Sequence, residues 1–249
     1  MFRVLAVRTP TLPPATHTNC YRLGNTVVDP ASPYRDEQER LAVFAAGIDR
    51  ILLTHHHVDH VGGVDDLRRR TGARVVAHHD ARVGFPVDER VGDGHELDTG
   101  DGVLVALHTP GHADGHLAFQ LQGTGEVICG DLVAGVGTIV LVPPEGDLQV
   151  YLDSLARVRA LATTLHPAHG PPCPASLADQ YTAHRHMRTG QFLRSLKAGS
   201  TTPAAVAADV YAGIPGVDFA LAAMQVRTHL AWMEARGMAV ERDGQWIAT

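Results

Sequence analysis

The chain has 249 residues, of which 45% are hydrophobic and 19% are charged, and its formal net charge is −6. This composition excludes an intrinsically disordered chain, and the lack of a long block of one charge argues against a wholly basic nucleic-acid binder. The three cysteines, Cys20, Cys129 and Cys173, are far apart and form no Cys-x-x-Cys pair. This spacing argues against a disulfide framework and against a thiolate zinc site.

The lengths of the apolar runs bear on whether the chain could span a membrane or carry a secretory leader. No stretch of 18 uninterrupted apolar residues occurs, and no apolar run of signal-peptide length precedes Pro10. Such runs are the signals of membrane spans and secretory leaders. We therefore expect a soluble, cytoplasmic protein with no membrane contact.

Short apolar runs bounded by turn residues dominate the first two thirds of the chain and predict strands. The predicted strands are Phe2–Val7, Cys20–Leu23, Thr26–Val28, Arg50–Thr54, Arg74–Ala77, Gly102–His108, Leu117–Leu121 and Glu126–Cys129. Helical patterns alternate with them at Arg35–Ala46, Gly63–Arg70 and Val150–Ala160. This mixture predicts an α/β (α+β) domain, built either from two sheets with helices outside them or from one parallel sheet.

The character of the chain changes after about Pro174, where it becomes largely helical. Three helices are predicted there, at Pro174–Lys197, Pro203–Tyr211 and Asp218–Arg236. Two short strands joined by Asp243-Gly244, a strong hairpin signal, follow them. Three helices and a hairpin is the element order of a winged helix, so we expect one domain at 1–185 and a winged-helix-like domain at 186–249.

One segment concentrates ligand-type side chains: Leu53-Thr54-His55-His56-His57-Val58-Asp59-His60-Val61-Gly62-Gly63. It follows a predicted strand and precedes a predicted helix, a position where sheets present active-site residues. In an extended loop His55 and His57 point to the same side and can bind one ion, while Asp59 and His60 can face a second. Imidazole nitrogens and carboxylate oxygens suit zinc, and also manganese or iron. The alternative is a histidine-rich surface loop.

Three later positions supply partners that a surface loop would not need. His112, Asp131 and His169 each follow a predicted strand or a short apolar run. Four strand-end loops with seven ligand-type side chains predict a centre for two divalent ions.

This ordered set resembles the metallo-beta-lactamase superfamily, whose motif H-x-H-x-D-H runs here from His55 to His60. The resemblance covers roughly residues 1–185 and implies a four-layer αββα sandwich. It also implies a ligand set: for the first ion His55, His57 and His112, for the second ion Asp59, His60 and His169, and as the bridge Asp131. Asp29, at the end of a predicted strand, resembles the aspartate that orients a ligand in this family.

Departures from neighbouring families narrow the implied activity. The second site has no cysteine, unlike the antibiotic-hydrolysing zinc beta-lactamases, and His57 is not the glutamate of the oxygen-reducing diiron relatives. The interval between Asp131 and His169 leaves no room for the inserted domain of nucleases related to cleavage-and-polyadenylation factors. The segment from Thr109 to Gly170 and the helical C-terminal region are similar instead to the beta-lactamase-like protein 2 group. Animal members of that group are endoribonucleases acting on single-stranded RNA.

Two divalent ions that share a water lower its pKa from about 15.7 towards neutrality and so generate a nucleophile. We expect Asp59 to orient this nucleophile, and we take His116, four residues after His112, as the candidate general acid. The leading hypothesis is a zinc-dependent phosphodiesterase of the endoribonuclease type, acting on single-stranded RNA through a metal-bridging hydroxide. The alternative is a glyoxalase II-like hydrolase of a small-molecule thioester or lactone.

The C-terminal region bears on this choice through its basic residues. In many winged-helix proteins the third helix and the wing face nucleic acid, and Arg227, Arg236 and Arg242 lie in those elements. The alternatives are that the region only covers the sandwich or forms a homodimer contact.

Overall fold

The computed structural model describes residues 1–249 and contains two mixed six-stranded sheets. The strands of the first sheet are, in chain and spatial order, β1 (Arg3–Arg8), β2 (His17–Leu23), β3 (Thr26–Val28), β4 (Arg50–Leu52), β5 (Arg74–His78) and β6 (Glu89–Val91). Strands β1 to β3 pair antiparallel, and β3 to β6 pair parallel. Of the two architectures that the sequence left open, the one with two sheets is correct.

In the second sheet, too, neighbouring strands are consecutive in the chain. Its strands are β7 (Glu96–Asp98), β8 (Val103–His108), β9 (Leu117–Leu121), β10 (Glu126–Gly130), β11 (Thr164–Pro167) and β12 (Cys173–Pro174). All neighbouring strands pair antiparallel except β10 and β11, which are parallel. Because β10 and β11 are parallel neighbours, the loops after them emerge at the same edge of the sheet.

Seven helices accompany the sheets. They are α1 (Arg35–Phe44), α2 (Val58–Val61), α3 (Val64–Thr71), α4 (Leu148–Leu161), α5 (Leu177–Lys197), α6 (Pro203–Val210) and α7 (Phe219–Glu234). The carboxylate of Asp147 caps α4 and the hydroxyl of Thr202 caps α6, each by accepting a hydrogen bond from a first-turn backbone N–H. None of the seven helices combines the length and the apolar character needed to cross a membrane.

Three apolar clusters define the order of the layers. Tyr21 and Phe119 belong to the cluster between the two sheets. Leu41 of α1 and Leu67 of α3 pack on the outer face of the first sheet, and Leu155 of α4 packs on the outer face of the second. Helices therefore cover both outer faces, and the layers follow the order α, β, β, α.

The C-terminal elements build a fourth cluster of their own. Phe192, Val206, Leu230 and Trp246 bring together α5, α6, α7 and the terminal hairpin. The hairpin consists of β13 (Ala239–Arg242) and β14 (Gln245–Ala248), which pair antiparallel. The turn residues between them, Asp243 and Gly244, have φ of 51° and 77°, as a primed turn requires. The predicted hairpin is confirmed.

The predicted domain boundary between residues 185 and 186 falls inside an unbroken helix. The first half of α5 contributes Ala178 to the cluster on the second sheet, whereas its second half contributes Phe192 and Leu196 to the C-terminal cluster. One helix is therefore shared by both hydrophobic units.

The sequence patterns missed several elements that are very short. Strands β6, β7 and β12 and helix α2 have two to four residues each, too few for a hydrophobic period to appear. The predicted helix at Pro174–Lys197 begins only at Leu177, because Pro174 pairs with Thr164 as part of β12.

Arg185 of α5 joins the sandwich to the C-terminal elements. Its side chain is 3% exposed, donates hydrogen bonds to the carbonyl of Ile139 and to the side chain of Gln225 on α7, and lies 5.2 Å from the ring centre of Tyr151. We predict that Arg185→Met lowers the free energy of unfolding by about 2 kcal/mol, because it leaves a buried carbonyl without its donor. Urea denaturation measures this change. Arg194→Met, at an exposed position on the same helix, is the matched control, and equal stabilities of the two variants would contradict the prediction.

Candidate metal centre

The seven ligand-type side chains predicted from sequence meet at one edge of the two sheets. His55, His57, Asp59 and His60 lie in the loop after β4 and in the short helix α2. The remaining three lie in the loops after β8, β10 and β11, and are His112, Asp131 and His169. All but His57 and Asp59 are buried, so their polar atoms require partners inside the protein.

Three imidazole nitrogens form the first group. His55 Nε2 and His57 Nδ1 are 3.0 Å apart, and His112 Nε2 lies 3.3 Å from the former and 3.1 Å from the latter. A tetrahedral zinc ion with bonds of about 2.1 Å holds its nitrogen ligands about 3.4 Å apart. The spacing of the three nitrogens therefore fits one ion between them.

Hydrogen bonds fix which nitrogen of each ring faces this group. His112 Nδ1 donates to the carbonyl of Val140 at 2.8 Å. The hydroxyl of Thr54 donates to Asp29 at 2.6 Å and is therefore free to accept from His55 Nδ1 at 3.1 Å. With those protons assigned, the Nε2 atoms of His55 and His112 carry lone pairs directed at the ion position. Orientation of this kind by an outer partner is usual for metal-binding histidines.

The second group combines two imidazoles with two carboxylates. His60 Nε2 and His169 Nε2 lie 3.5 Å and 3.4 Å from Asp131 Oδ1, and His169 Nε2 lies 3.5 Å from Asp59 Oδ2. The other oxygen of Asp131, Oδ2, lies 3.6 Å from His112 Nε2 in the first group. The Asp131 carboxylate thus faces both groups, as a bridging ligand must.

The rings of the second group are oriented in the same manner as those of the first. His60 Nδ1 donates to Asp29 Oδ2 at 2.8 Å, and His169 Nδ1 donates to the carbonyl of His17 at 2.9 Å. His60 Nε2 and Asp131 Oδ1 are buried and have no hydrogen-bond partner. Unpartnered buried acceptors are costly unless a cation satisfies them, so this donor set fits a second divalent ion.

The charge states of the first group match what metal binding requires. Burial lowers the pKa of His55 well below its ordinary value and lowers the pKa of His57 to about 3, so both rings are neutral near pH 7, the form that binds metals. Burial alone would raise the pKa of Asp131, but His60 and His169 hold it well below the usual range. The Asp131 carboxylate is therefore ionised. Burial alone would lower the pKa of His60 and His169, but Asp131 raises both, so an ion at the second group would displace a proton from each ring.

His116 occupies a different place from the one expected for a general acid. It is fully buried, its Nδ1 donates to the hydroxyl of Thr109 at 2.9 Å, and its Nε2 accepts the backbone N–H of Asp131 at 3.1 Å. These two hydrogen bonds occupy both ring nitrogens, and His116 does not line the cavity. This geometry places His116 in direct contact with the backbone of Asp131.

Glu145 is a polar neighbour of the centre that sequence reasoning missed. Its carboxylate lies 3.2 Å from His56 Nε2 and 3.9 Å from His57 Nε2, on the side of the His57 ring away from the first group. A single glutamate in a Pro-Pro-Glu-Gly loop carries no pattern that could have identified it. Its negative charge favours the proton on His57 Nε2 and so leaves Nδ1 free to bind an ion.

A cavity of about 490 Å³ opens above the ligands, which is the size of a small-molecule site. Five of the seven candidate ligands line it: His57, Asp59, His112, Asp131 and His169. Its walls come from five residues between Pro10 and Ala15, from the loop 136–140 and from seven residues between Tyr211 and Gln225. No lysine or arginine lines it.

Comparison with known proteins identifies the family. The family model described as the metallo-beta-lactamase superfamily matches residues 13–169, a range that includes all seven ligand positions. The chain belongs to the metallo-beta-lactamase superfamily. The H-x-H-x-D-H resemblance of residues 55–60 is thereby confirmed.

Individual relatives of this chain within the superfamily carry different names. A beta-lactamase-like protein 2 homolog of Caenorhabditis elegans is 32% identical over 197 residues, which are 72% of this chain and 65% of the relative. A hydroxyacylglutathione hydrolase of Erythrobacter litoralis is 36% identical over 124 residues, which are 49% of each chain. The chain thus spans 49% to 65% of the length of these two relatives.

The likeness to solved structures extends over the whole chain. A metallo-beta-lactamase family protein of Thermus thermophilus has a TM-score of 0.86 and 22% identity, with 100% of this chain and 98% of that one covered. At this identity the likeness shows the metallo-beta-lactamase fold alone.

We predict that the purified protein, saturated with zinc, holds close to two ions per chain, because seven ligands are too many for one tetrahedral ion. Elemental analysis after gel filtration measures the ratio. His169→Ala should bring it close to one, whereas His79→Ala, an exposed histidine outside the centre, should leave it at two. A wild-type ratio of one at saturation would contradict the two-ion centre.

Proposed function

We propose that the chain hydrolyses a small carbonyl substrate, a thioester or a lactone, at two divalent ions, of which zinc is the first candidate. The observation that carries this proposal is the cavity, because it lies directly over the ligands and contains no lysine or arginine. A substrate with several phosphates needs cationic side chains to neutralise it. A neutral ester or thioester carbonyl needs only the ions.

The bound ions would supply Lewis acidity, which polarises the substrate oxygen and lowers the pKa of water. The protein residues supply position and proton transfer. Asp131 faces both ligand groups and sets their spacing. Asp59 lines the cavity, where its carboxylate can accept a hydrogen bond from the attacking water and take its proton. The apolar walls exclude bulk water, so the nucleophile is held at one place.

Cleavage of single-stranded RNA is the second candidate. It is supported by the 32% identity to a beta-lactamase-like protein 2 homolog and by the order of three helices and a hairpin at the C-terminus. The placement of the three arginines weighs against it. None lines the cavity, and Arg236 lies 3.8 Å over the ring of Trp232 and donates to Gln149 of α4.

The winged-helix interpretation meets a related difficulty. In a winged helix that reads DNA, the third helix enters a groove of the nucleic acid. Here Leu221 and Gln225 of α7 and its N-cap residue Asp218 line the cavity. Val226 and Leu230 of the same helix are buried in the C-terminal cluster. We propose that α7 acts as a wall of the site and not as a recognition helix.

A substrate screen tests the proposed function. The zinc-loaded protein should hydrolyse acyl thioesters or lactones, followed by thiol release or by acid release, and should leave a fluorescent single-stranded RNA intact. Asp131→Ala should reduce hydrolysis to background while its far-ultraviolet circular dichroism is retained, because the ions lose their bridge. Asp65→Ala, at an exposed position outside the centre, is the control that should keep full activity. RNA cleavage without any thioester or lactone hydrolysis would refute the proposal.

The arginines separate the two candidates further. We predict that the combined variant Arg227→Ala, Arg236→Ala and Arg242→Ala keeps the wild-type kcat/KM for a thioester within about twofold, because all three side chains lie outside the cavity. If RNA were the substrate, the same variant would lose RNA affinity and reduce the salt dependence of binding, since each phosphate contact releases counterions. Fluorescence anisotropy with single-stranded RNA at several salt concentrations measures both quantities.

A further inference from the structure

Two separate stretches of the chain contribute apolar side chains to the walls of the cavity at the metal ligands. Residues far apart in sequence supply them: Pro10, Leu12, Pro13 and Ala15 near the N-terminus, and Tyr211, Val217, Leu221 and Ala222 near the C-terminus. We call the second set the C-terminal wall. Sites that bind small molecules combine such apolar walls with a few polar groups that fix orientation.

Large apolar side chains are also exposed around this cavity. Leu12 and Val136, which line it, are 50% and 40% exposed, and Ile214 and Phe219, which lie between members of the C-terminal wall in sequence, are 45% and 49% exposed. Single exposed apolar residues are ordinary, but several around one opening mark a binding surface. Exposed apolar side chains thus line the cavity at Leu12 and Val136.

The acidic groups of the cavity are already engaged. Asp59 and Asp131 belong to the metal-ligand set, and Asp218 caps α7 by accepting the backbone N–H groups of Ala220 and Leu221 at 2.9 Å and 3.0 Å. No free cationic group lines the walls. A charged substrate group would lose hydration there without a partner, whereas an apolar group would gain free energy from burial.

Three contacts hold the C-terminal wall in a fixed position relative to the ligand loops. The hydroxyl of Thr228 on α7 donates to the carbonyl of Leu141 at 2.9 Å. The guanidinium of Arg185 donates both to the carbonyl of Ile139 and to Gln225 of α7. Because the wall is tied to the loop that leads from Asp131, it is organised before a substrate arrives.

We propose that the C-terminal wall, together with Leu12, binds the acyl group of the substrate and selects long, apolar acyl chains. The inference rests on the proposed function, because it assigns the acyl group of the proposed carbonyl substrate to the C-terminal wall of the same cavity. Leu221 and Val217 are then specificity-determining residues, and α7 contributes to catalysis only through the position of the chain that it contacts.

A series of acyl thioesters of one thiol, from acetyl to decanoyl, tests the proposal. The kcat/KM of the zinc-loaded wild type should rise by up to about fourfold for each methylene that the wall buries. Leu221→Gln should flatten this dependence. Val217→Thr, which replaces one methyl group by a hydroxyl of similar size and so changes polarity more than shape, is a second variant and should reduce the slope in the same direction. Val43→Gln, at a position 80% exposed on α1, is the control that should keep the wild-type slope.

A binding measurement on the metal-free protein supplies a readout besides activity. The affinity for non-hydrolysable alkyl thioethers, measured by calorimetry, should increase with chain length, show a negative heat-capacity change, and lose its length dependence in Leu221→Gln. Thioester hydrolysis that is equally fast for acetyl and decanoyl groups would overturn the inference and leave the proposed function standing. If the protein hydrolyses no thioester or lactone at all, both fail.

Discussion

The structure depends on one constraint: several buried imidazoles must each direct a lone pair, not a proton, at the same small space. A hydrogen bond on the opposite side of the ring meets this constraint for four of them, at Thr54, Val140, Asp29 and the carbonyl of His17. These oxygens come from β2, from the loops after β3 and β4, and from the loop before α4, so elements of both halves of the sandwich must be assembled before the ligands are oriented. The fold and the centre are therefore coupled, and losing one outer partner should weaken metal binding by about 10- to 100-fold.

A second dependence links the centre to the C-terminal elements. Helix α5 crosses from the sandwich cluster to the C-terminal cluster, and Arg185 on it ties the loop at Ile139 to α7. The C-terminal elements are in this way part of the site and not an appendage beside it. Residues of the C-terminal elements line the cavity and give it part of its apolar wall, and no basic side chain lines it. These properties favour a neutral acyl substrate over a polyanion.

The strong local patterns of the sequence were sufficient for much of the fold. The capped helices at Asp147, Thr202 and Asp218 and the hairpin at Asp243-Gly244 carry their own chemical signals, because caps and primed turns depend on residues within a few positions of one another. Short elements without such signals, such as β6 and β7, were missed. The choice between one sheet and two depended on pairing between distant strands, which no local pattern encodes.

The sequence by itself determined the family and the identity of the seven ligand-type residues, because H-x-H-x-D-H and its later partners are defined by residue type, order and spacing. Only the tertiary structure decided which ring nitrogen faces the ions, that His116 lies behind Asp131, and that Glu145 stands beside His57. Only the tertiary structure also decided that α7 closes the cavity and that no arginine enters it. The physical reason is the same in each case: hydrogen-bond direction and cavity lining depend on contacts between residues that are far apart in the chain.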